Sequence, residues 1–197
     1  MPLFARHIFL TGQPGVGKTT LAVNALRSLP NEACCGFYTE ERRSPSGDRL
    51  GFDVVVPGSE ARGTLAGVGS GKPAVGKYAV DVPSFEALAL PSLDAAFSCP
   101  ITLIDEVGKM ELLSERFLPR VEALLQGPAT VIGTLPMPRY GHTIPAVERV
   151  RSHPHVAVVK LLKHNRDAAR AAVQSVERPR IHDATLPRGR RGHHQLT

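Results

Sequence analysis

The chain has 197 residues, enough for one domain with a substantial core, and its 42% hydrophobic and 21% charged residues are typical of a globular protein. It holds no run of about 18 apolar residues, which excludes a membrane-spanning helix, and its first residues lack the pattern of a secretory signal. The net charge is +6, and the excess lies in residues 160–197, which hold nine Lys/Arg and three Asp/Glu.

The first part of the chain predicts a strand, a loop, a helix and then a hairpin. The apolar run 7–11 is typical of a strand, and the apolar residues of 19–26 recur at helical spacing. Pro30 and Asn31 predict the end of that helix. Turn-forming residues divide two strand-like segments within 35–56, which predicts a hairpin.

Glycine is frequent between residues 57 and 77, so we predict an exposed loop there, before a short strand at 77–81. The glycine cluster 67–71 resembles a phosphate-binding loop only superficially, because no long strand precedes it and no helix follows it. The next segment predicts a short helix with Ser84 as N-cap residue and Pro91 at its end.

The second half alternates apolar strands with helices. The predicted strands and helices are, in chain order, 101–104, 115–125, 129–134, 144–151, 156–161 and 167–176. Strands that are apolar throughout predict a parallel sheet covered on both faces. The fold class is therefore α/β, a mostly parallel sheet with helices on both faces and residues 35–81 as an antiparallel addition.

The end of the chain is basic and lacks apolar periodicity. We expect residues 1–177 to form the domain and residues 178–197 to be a mostly disordered tail. Such a tail either contacts nucleic acid or is simply solvated, and it offers no aromatic residue among its arginines to stack on bases.

Cysteine and histidine spacing predicts neither a disulfide framework nor a metal cluster. Cys34, Cys35 and Cys99 form no C-x-x-C and cannot pair evenly, which suits a reducing compartment. With no secretory signal, we expect a cytoplasmic or nuclear protein. The pairs around His153–His155 and His193–His194 have no cysteine or carboxylate nearby at metal spacing.

The loop between the first strand and the first helix carries the strongest motif. Residues 12–19, GQPGVGKT, match the Walker A pattern G-x-x-x-x-G-K-[ST] between the two elements that it requires. Backbone N–H groups of such a loop surround nucleotide phosphates, with Lys18 reaching the β- and γ-phosphate oxygens and Thr19 binding Mg²⁺. The nucleotide-binding candidates here are Gly12, Gln13, Pro14, Gly15, Val16, Gly17, Lys18, Thr19 and Thr20.

Two adjacent acids, Asp105 and Glu106, follow the apolar strand 101–104 in a Walker B position. Magnesium held by a phosphate loop requires a further carboxylate from a neighbouring strand, and we assign Asp105 to that role. Glu106 would orient and deprotonate the attacking water, with Lys18 as the second catalytic residue. The alternative, two solvated acids at a strand end, is disfavoured because Lys18 and Thr19 demand such a partner.

Other polar residues near these motifs have plainer interpretations. Thr39, Glu40 and Glu41 end the second predicted strand, where they could overlook the pocket, but a solvated hairpin edge is the expectation. Lys109 and Glu111 follow the acid pair and are expected to be supporting or surface groups.

Six blocks in chain order resemble one known family: GQPGVGKTT, CGFYTEE, GFDVV, VGKYAVD, FEALALPSL and IDEVGKMELLS. The similarity covers residues 5–170. It is to the P-loop nucleoside-triphosphatases that include the cancer-related enzyme of vertebrates and relatives in thermophilic bacteria and archaea. The resemblance implies slow, magnesium-dependent hydrolysis of nucleoside 5′-triphosphates, ATP and GTP among them, to diphosphate and phosphate. It also implies a RecA-like three-layer fold with an extra strand between the phosphate-loop strand and the Asp-Glu strand.

The resemblance adds two candidate positions. Thr134, at the tip of the next strand, would lie near the γ-phosphate, although a simple turn threonine is an equal alternative. A late block of the family, T-x-E-N-R-D, corresponds to residues 162–167, where Leu162 and His164 depart from it. Arg166 is retained and would either lie near the base or phosphates or form an ion pair at a helix start.

Other functions remain open. A P-loop small-molecule or nucleotide kinase would need an acceptor pocket and usually an arginine-rich lid, for which residues 57–77 offer only Arg62, Lys72 and Lys77. A nucleic-acid-associated ATP-binding module would use the tail 178–197. A G-protein switch is disfavoured because no N-K-x-D tetrapeptide occurs. We expect nucleoside triphosphates as partners, Mg²⁺ as cofactor, no membrane association and a monomer.

Overall fold

The computed structural model describes residues 5–26, 34–138 and 141–181. The strands of this part are β1 (His7–Gly12), β2 (Cys34–Arg43), β3 (Arg49–Val55), β4 (Arg62–Val68), β5 (Ala74–Val75), β6 (Tyr78–Val80), β7 (Ile101–Ile104), β8 (Thr130–Pro136) and β9 (Val156–Lys160). The helices are α1 (Lys18–Leu26), α2 (Val82–Ala95), α3 (Phe117–Gln126), α4 (Pro145–Arg151) and α5 (Arg166–Ile181), with short 3₁₀ helices at Ala96–Ser98 and Glu111–Leu113. In this part no helix is both long and apolar enough to cross a membrane.

All nine of these strands join one sheet in the order β5-β6-β4-β3-β2-β7-β8-β1-β9. The strands from β2 to β9 in this order are parallel, and β3, β4, β6 and β5 extend the sheet in antiparallel fashion. Strand β8 lies between β1 and β7 and is the extra strand that the family resemblance implied. The predicted α/β class is confirmed, with an antiparallel addition of four strands rather than a simple hairpin.

Helices cover both faces of the sheet because its parallel strands are apolar throughout. One core contains Ile8, Leu10 and Ile132 of the sheet together with buried residues of α1 and α5. The other face packs against α2, α3 and α4. At its centre the rings of Phe37, Phe85 and Phe117 meet edge to face, with centroids 5.4 to 5.8 Å apart, which favours this arrangement beyond simple burial.

The prediction of an exposed loop at 57–77 was wrong, because this segment contains β4 and β5. The misleading signal was glycine. A Cβ atom at Gly63 would lie 2.7 Å from the Leu88 side chain of α2, so any larger residue there would displace this side chain, and glycine suits the close packing of a helix on a strand. Gly63 therefore marks close packing on the sheet, whereas Gly58 and Gly76 adopt positive φ angles of 71° and 60°.

The boundaries predicted for α2 were also wrong. Asp81 caps this helix, its carboxylate accepting a hydrogen bond from the Ser84 N–H at 2.9 Å. Pro91 lies inside the helix, which continues to Ala95. Leu90 and Leu93 on either side are fully or almost fully buried against the core, and this packing outweighs the one backbone hydrogen bond that proline cannot make.

Helix α5 runs from Arg166 to Ile181, five residues beyond its predicted end at 176. The division into a domain of residues 1–177 and a tail of residues 178–197 stays a prediction. Extending an existing helix costs far less than starting one, so weak apolar periodicity does not end it. Residues 182–197 and the helix end predicted at Pro30 and Asn31 lie outside the described residues.

Two of the cysteines are paired, contrary to the expectation from their number. Cys35 and Cys99 form a disulfide with Cα atoms 6.1 Å apart. The register of β2 against β7 aligns Cys35 with Thr102, and Cys99 lies three residues before that position. Residues 64 apart in the chain thus become neighbours through strand pairing, which cysteine spacing cannot reveal.

The buried ring of His7 predicts acid sensitivity. Its Nδ1 accepts from the Val131 N–H at 3.1 Å and its Nε2 faces the Leu125 carbonyl at 3.0 Å, a pairing that requires the neutral imidazole. Burial lowers the pKa of His7 from 6.5 to about 4. The unfolded chain therefore takes up this proton first, and stability that is present above pH 6.5 is lost as the pH falls towards 4.

We expect this single group to lower the free energy of unfolding by on the order of 3 kcal/mol across that interval. Denaturant unfolding at a series of pH values measures the loss. The variant His7→Gln should show a shallower dependence on pH between 6.5 and 4 even if it is less stable at every pH. Equal slopes for the two proteins would contradict the assignment.

Candidate functional site

The loop from Gly12 to Lys18 connects the central strand β1 to the first turn of α1. Gly15 and Gly17 adopt positive φ angles of 76° and 99°, which side chains other than glycine rarely adopt. A Cβ atom at Gly12 would lie 2.6 Å from the Leu161 carbonyl oxygen, so this position also excludes a side chain. The loop wraps over the start of α1, whose unpaired N–H groups give this end of the helix a partial positive charge.

Other residues of the predicted loop have distinct environments. Gln13 and Pro14 are exposed, whereas Val16 is buried against Leu161 and Ala169. Thr20 is exposed on α1. The guanidinium of Arg166, the first residue of α5, donates to the Val16 carbonyl at 3.0 Å. Arg166 thus holds the loop through its backbone, in place of the ion pair considered as one alternative.

Lys18 and Glu106 meet across the site. The Lys18 Nζ lies 3.5 Å from a Glu106 carboxylate oxygen, and their side chains are 12% and 30% exposed. Burial raises the pKa of Glu106, the nearby Lys18 lowers it, and Asp105 raises it further. Lys18 of the loop and Glu106, which follows β7, are thus neighbours in space although 88 positions separate them in the chain.

Asp105 is buried and enclosed by hydroxyl groups. Its carboxylate accepts a hydrogen bond from the Thr134 hydroxyl at 2.6 Å, and its other oxygen accepts from the Thr39 N–H at 3.3 Å and hydroxyl at 3.4 Å. Burial raises the pKa of Asp105, while the hydrogen bonds from Thr134, Thr19 and Thr39 and the charge of Lys18 lower it. Three strands therefore fix the orientation of this carboxylate: β7, β8 and β2.

Thr39 is a site residue that sequence reasoning missed. It was expected on a solvated hairpin edge, yet β2 pairs with β7 so that Phe37 lies opposite Ile104 and Thr39 reaches Asp105. No local pattern carries this information, because the contact depends on which two strands are neighbours.

Glu111 is a second missed residue. It is only 5% exposed, and its carboxylate accepts from the Gly108 N–H at 3.1 Å. A Cβ atom at Gly108 would lie 2.8 Å from a Glu106 oxygen and 2.9 Å from a Glu111 oxygen, so the two carboxyl groups converge on one point. Burial raises the pKa of Glu111 to about 8, and the charge of Glu106 adds to the effect. At neutral pH Glu111 is therefore mainly uncharged.

These groups line one end of a cavity of about 700 Å³. Gly12, Pro14, Lys18, Thr19, Thr39, Asp105 and Glu106 lie at this end. The arrangement offers a cation on a glycine loop, a buried carboxylate held by three hydroxyls and a second carboxylate beside them. Such a set is suited to an anionic ligand with a hard cation and to proton transfer at its end.

Comparison with known proteins finds similarity along most of the chain. A family model described as NTPase matches residues 7–174. The chain is 46% identical to the human cancer-related nucleoside-triphosphatase over 177 residues, which covers 83% of this chain and 92% of the relative. It is 37% identical to nucleoside-triphosphatase THEP1 of Thermotoga sp. strain RQ2 over 171 residues, covering 86% of this chain and 94% of the relative.

Solved structures show the same similarity in three dimensions. The crystal structure of THEP1 from the hyperthermophile Aquifex aeolicus superposes with a TM-score of 0.76 at 34% identity, covering 86% of this chain and 98% of that one. The solution structure of a human cancer-related nucleoside triphosphatase gives a TM-score of 0.74 at 42% identity, covering 88% and 98%.

Proposed function

Because the chain belongs to the NTPase family, we propose that it hydrolyses nucleoside 5′-triphosphates, ATP and GTP among them, to nucleoside diphosphate and phosphate at this site. The observation that carries the proposal is the 3.5 Å contact between Lys18 and Glu106. It brings a phosphate-binding lysine next to an acid that can act on water, with Asp105 beside them. None of these groups is specific for a base, in keeping with a substrate class rather than one nucleotide.

The glycine loop binds the triphosphate. Its backbone N–H groups and the start of α1 surround the phosphates, and close approach is possible because Gly12, Gly15 and Gly17 carry no side chains. Lys18 leaves Glu106 and binds the β- and γ-phosphate oxygens. Arg166 supports this arrangement from outside through its bond to the Val16 carbonyl.

The residues beside the loop fit Mg²⁺. Magnesium prefers oxygen ligands, usually one or two protein groups together with waters and substrate phosphates. The Thr19 hydroxyl and the Asp105 carboxylate are such ligands, and both lie at the phosphate end of the cavity. When bound, the ion neutralises charge on the β- and γ-phosphates. Thr134 and Thr39 hold the Asp105 carboxylate in place.

Glu106 acts on the attacking water. Once Lys18 has turned to the phosphates, the Glu106 carboxylate is free to accept a proton from a water in line with the γ-phosphorus. Burial raises the pKa of this carboxyl, which makes it a stronger base than an exposed glutamate. Glu111 and the Gly108 N–H define the turn that follows Glu106 and so support its position.

The hydrogen bond from Thr134 to Asp105 predicts the strength of magnesium binding. We expect Thr134→Val, which keeps the shape but removes the hydroxyl, to raise the magnesium concentration for half-maximal turnover by about 10- to 100-fold. Thr134→Ser keeps the donor and should remain close to the original protein. A magnesium titration of phosphate release measures this concentration for both variants. An unchanged midpoint in Thr134→Val would contradict this role for Thr134.

Isotope labelling tests the proposed reaction. The chain is incubated with ATP and Mg²⁺ in ¹⁸O-labelled water, with no other substrate. We expect equal amounts of ADP and phosphate, with one labelled oxygen per phosphate released, because water attacks the γ-phosphorus. Label in ADP, or no phosphate until another compound is added, would contradict the proposal.

A further inference from the structure

The cavity continues well beyond the groups that hold phosphates. Its far end is lined by apolar residues from several elements: Phe52, Leu65, Val75, Met110, Ile144 and Val147. Leu65 and Val147 are almost fully buried, and the other four pack partly exposed against the larger core. These residues belong to the antiparallel strands β3, β4 and β5, to the segment after β7, and to α4 with the residue before it. The apolar end is therefore part of the built fold.

A nucleoside bound as proposed above would lie away from these apolar residues. The loop follows β1, and the acids of β7 lie two strands away in the direction of β8. A triphosphate with its γ-phosphate at Glu106 therefore extends its nucleoside towards β9, on the other side of β1. Of the described residues, those of β9 and α5 do not line the cavity. The apolar end lies beyond the γ-phosphate, on the side from which a nucleophile approaches.

Water alone does not account for a space of this kind. One water occupies about 30 Å³ in the liquid, whereas the whole cavity measures about 700 Å³ and much of its lining is apolar. Cavities of about 300 to 1,000 Å³ with apolar walls and a few polar groups are typical of sites for small organic molecules. The carboxylate of Glu106 disfavours an anionic group beside it, and the other ionisable side chains that line the cavity away from the loop include Lys109, His142 and Glu148.

We infer that the apolar end is an acceptor subsite for a small, uncharged alcohol with an apolar body. This inference rests on the proposed function, because it uses the same triphosphate and the same base. The apolar body contacts Leu65, Val75 and Met110, and the hydroxyl reaches Glu106 in place of water.

The transfer balances without any other reactant. The alcohol oxygen forms a bond to the γ-phosphorus, and the bond from that phosphorus to the oxygen bridging the β-phosphate breaks. The electron pair of the broken bond stays on the nucleoside diphosphate. The hydroxyl proton passes to the Glu106 carboxylate. The products are a phosphate ester and a nucleoside diphosphate, with hydrolysis as the reaction when the subsite is empty.

A labelled triphosphate tests the inference on the full chain. The protein is incubated with [γ-³²P]ATP, Mg²⁺ and a deproteinised small-molecule extract of cells that produce it, and the products are separated by chromatography. We expect label both in phosphate and in an organic phosphate ester. Label in phosphate alone would overturn the acceptor subsite. Absence of phosphate release without extract would instead overturn the proposed function.

A pair of variants on β5 locates the acceptor. Val75 faces the cavity on a two-residue strand and Ala74 next to it is exposed and does not line it. We expect Val75→Trp to lower ester formation at least tenfold. Phosphate release without extract should stay within about twofold, because the activation barrier for hydrolysis should hardly change. Ala74→Trp should preserve both. Equal ester formation by the two variants would overturn the location.

A direct binding measurement needs no natural acceptor. The chain has three methionines, and Met110 and Met137 line the cavity. With methyl-¹³C methionine, ADP and Mg²⁺, we expect 2-phenylethanol to shift the Met110 signal saturably, and glycerol, which has hydroxyls without an apolar body, to leave it in place. The shift should be absent in Val75→Trp. If 2-phenylethanol does not shift the Met110 signal in the original protein, the proposal of an acceptor subsite is wrong.

Discussion

Replacing Glu106 with glutamine should lower kcat by about 100- to 10,000-fold, the usual contribution of a positioned general base. Glutamine has nearly the same shape but cannot accept the proton of the attacking water. Affinity for ATP should be unchanged or tighter, because the phosphate contacts of the loop remain and Lys18 no longer has to leave a carboxylate 3.5 Å away. Steady-state phosphate release and equilibrium titration with ATP measure the two effects separately.

The matched control for this variant is Glu148→Gln, since Glu148 also lines the cavity but belongs to α4 and not to the segment after β7. We expect its hydrolysis rate to match that of the original protein. If Glu106→Gln instead loses ATP binding with little change in kcat, Glu106 is a structural residue and water is activated by another group.

Replacing Lys18 with methionine should weaken ATP binding by about 2 to 5 kcal/mol, the usual cost of removing one partner from a buried charged contact. This corresponds to a dissociation constant from about 30-fold to a few thousandfold higher. Methionine preserves much of the length of the side chain, so the loop should keep its shape. AMP, which has neither the β- nor the γ-phosphate, should bind the variant and the original protein alike, and calorimetric titration with both nucleotides measures the difference.

Lys109 supplies the control for this charge. It is an exposed lysine that also lines the cavity, yet it belongs to the turn after β7 and not to the loop. Lys109→Met should change the free energy of ATP binding by no more than about 1 kcal/mol, the usual contribution of an exposed charge. If Lys18→Met binds ATP as tightly as the original protein does, the loop does not hold the triphosphate.

The charges of the site explain why a cation is favoured there. Asp105, Glu106 and Glu111 are close together, and burial raises the pKa of each. Lys18 pairs with Glu106, and in the proposed function it turns to the phosphates when a nucleotide binds. A divalent ion bound at Asp105 then supplies the positive charge that the acids and the triphosphate require together.

The centre of the site could be predicted from sequence because its motifs are local. The glycine loop needs only a strand before it and a helix after it, and the acid pair needs only the apolar strand that it follows. The carboxyl ends of parallel strands meet at one edge of a sheet, so the two motifs were expected to lie together. The contact between Lys18 and Glu106 is in keeping with that expectation.

The surroundings of the site could not be predicted because they depend on strand order. Thr39 reaches Asp105 only because β2 lies next to β7. The pairing of Cys35 with Cys99 has the same cause. Glu111 looked like a surface acid because its burial results from a 3₁₀ turn that folds back under Gly108. Each of these contacts joins residues whose proximity is set by tertiary packing.

The predictions based on glycine and proline, a loop at 57–77 and a helix end at Pro91, were also wrong because of tertiary packing. Gly63 packs closely against Leu88 of α2, and Pro91 is tolerated because its neighbours are buried. Both residues are usually signs of turns, and here packing between α2 and the sheet overrides the local preference. The proposed acceptor subsite is lined by residues of the antiparallel strands and of the segment after β7. Because these residues meet only through tertiary packing, an acceptor pocket could not be predicted from sequence.

A crystal structure of Glu106→Gln with ATP and Mg²⁺ tests the central claim most directly, because the variant should bind the substrate without consuming it. The account predicts Lys18 in contact with the β- and γ-phosphates, the ion in contact with Asp105 directly or through water, and a water in line with the γ-phosphorus beside residue 106. A triphosphate bound elsewhere, or bound here with Lys18 and Asp105 contacting neither phosphate nor ion, would contradict it.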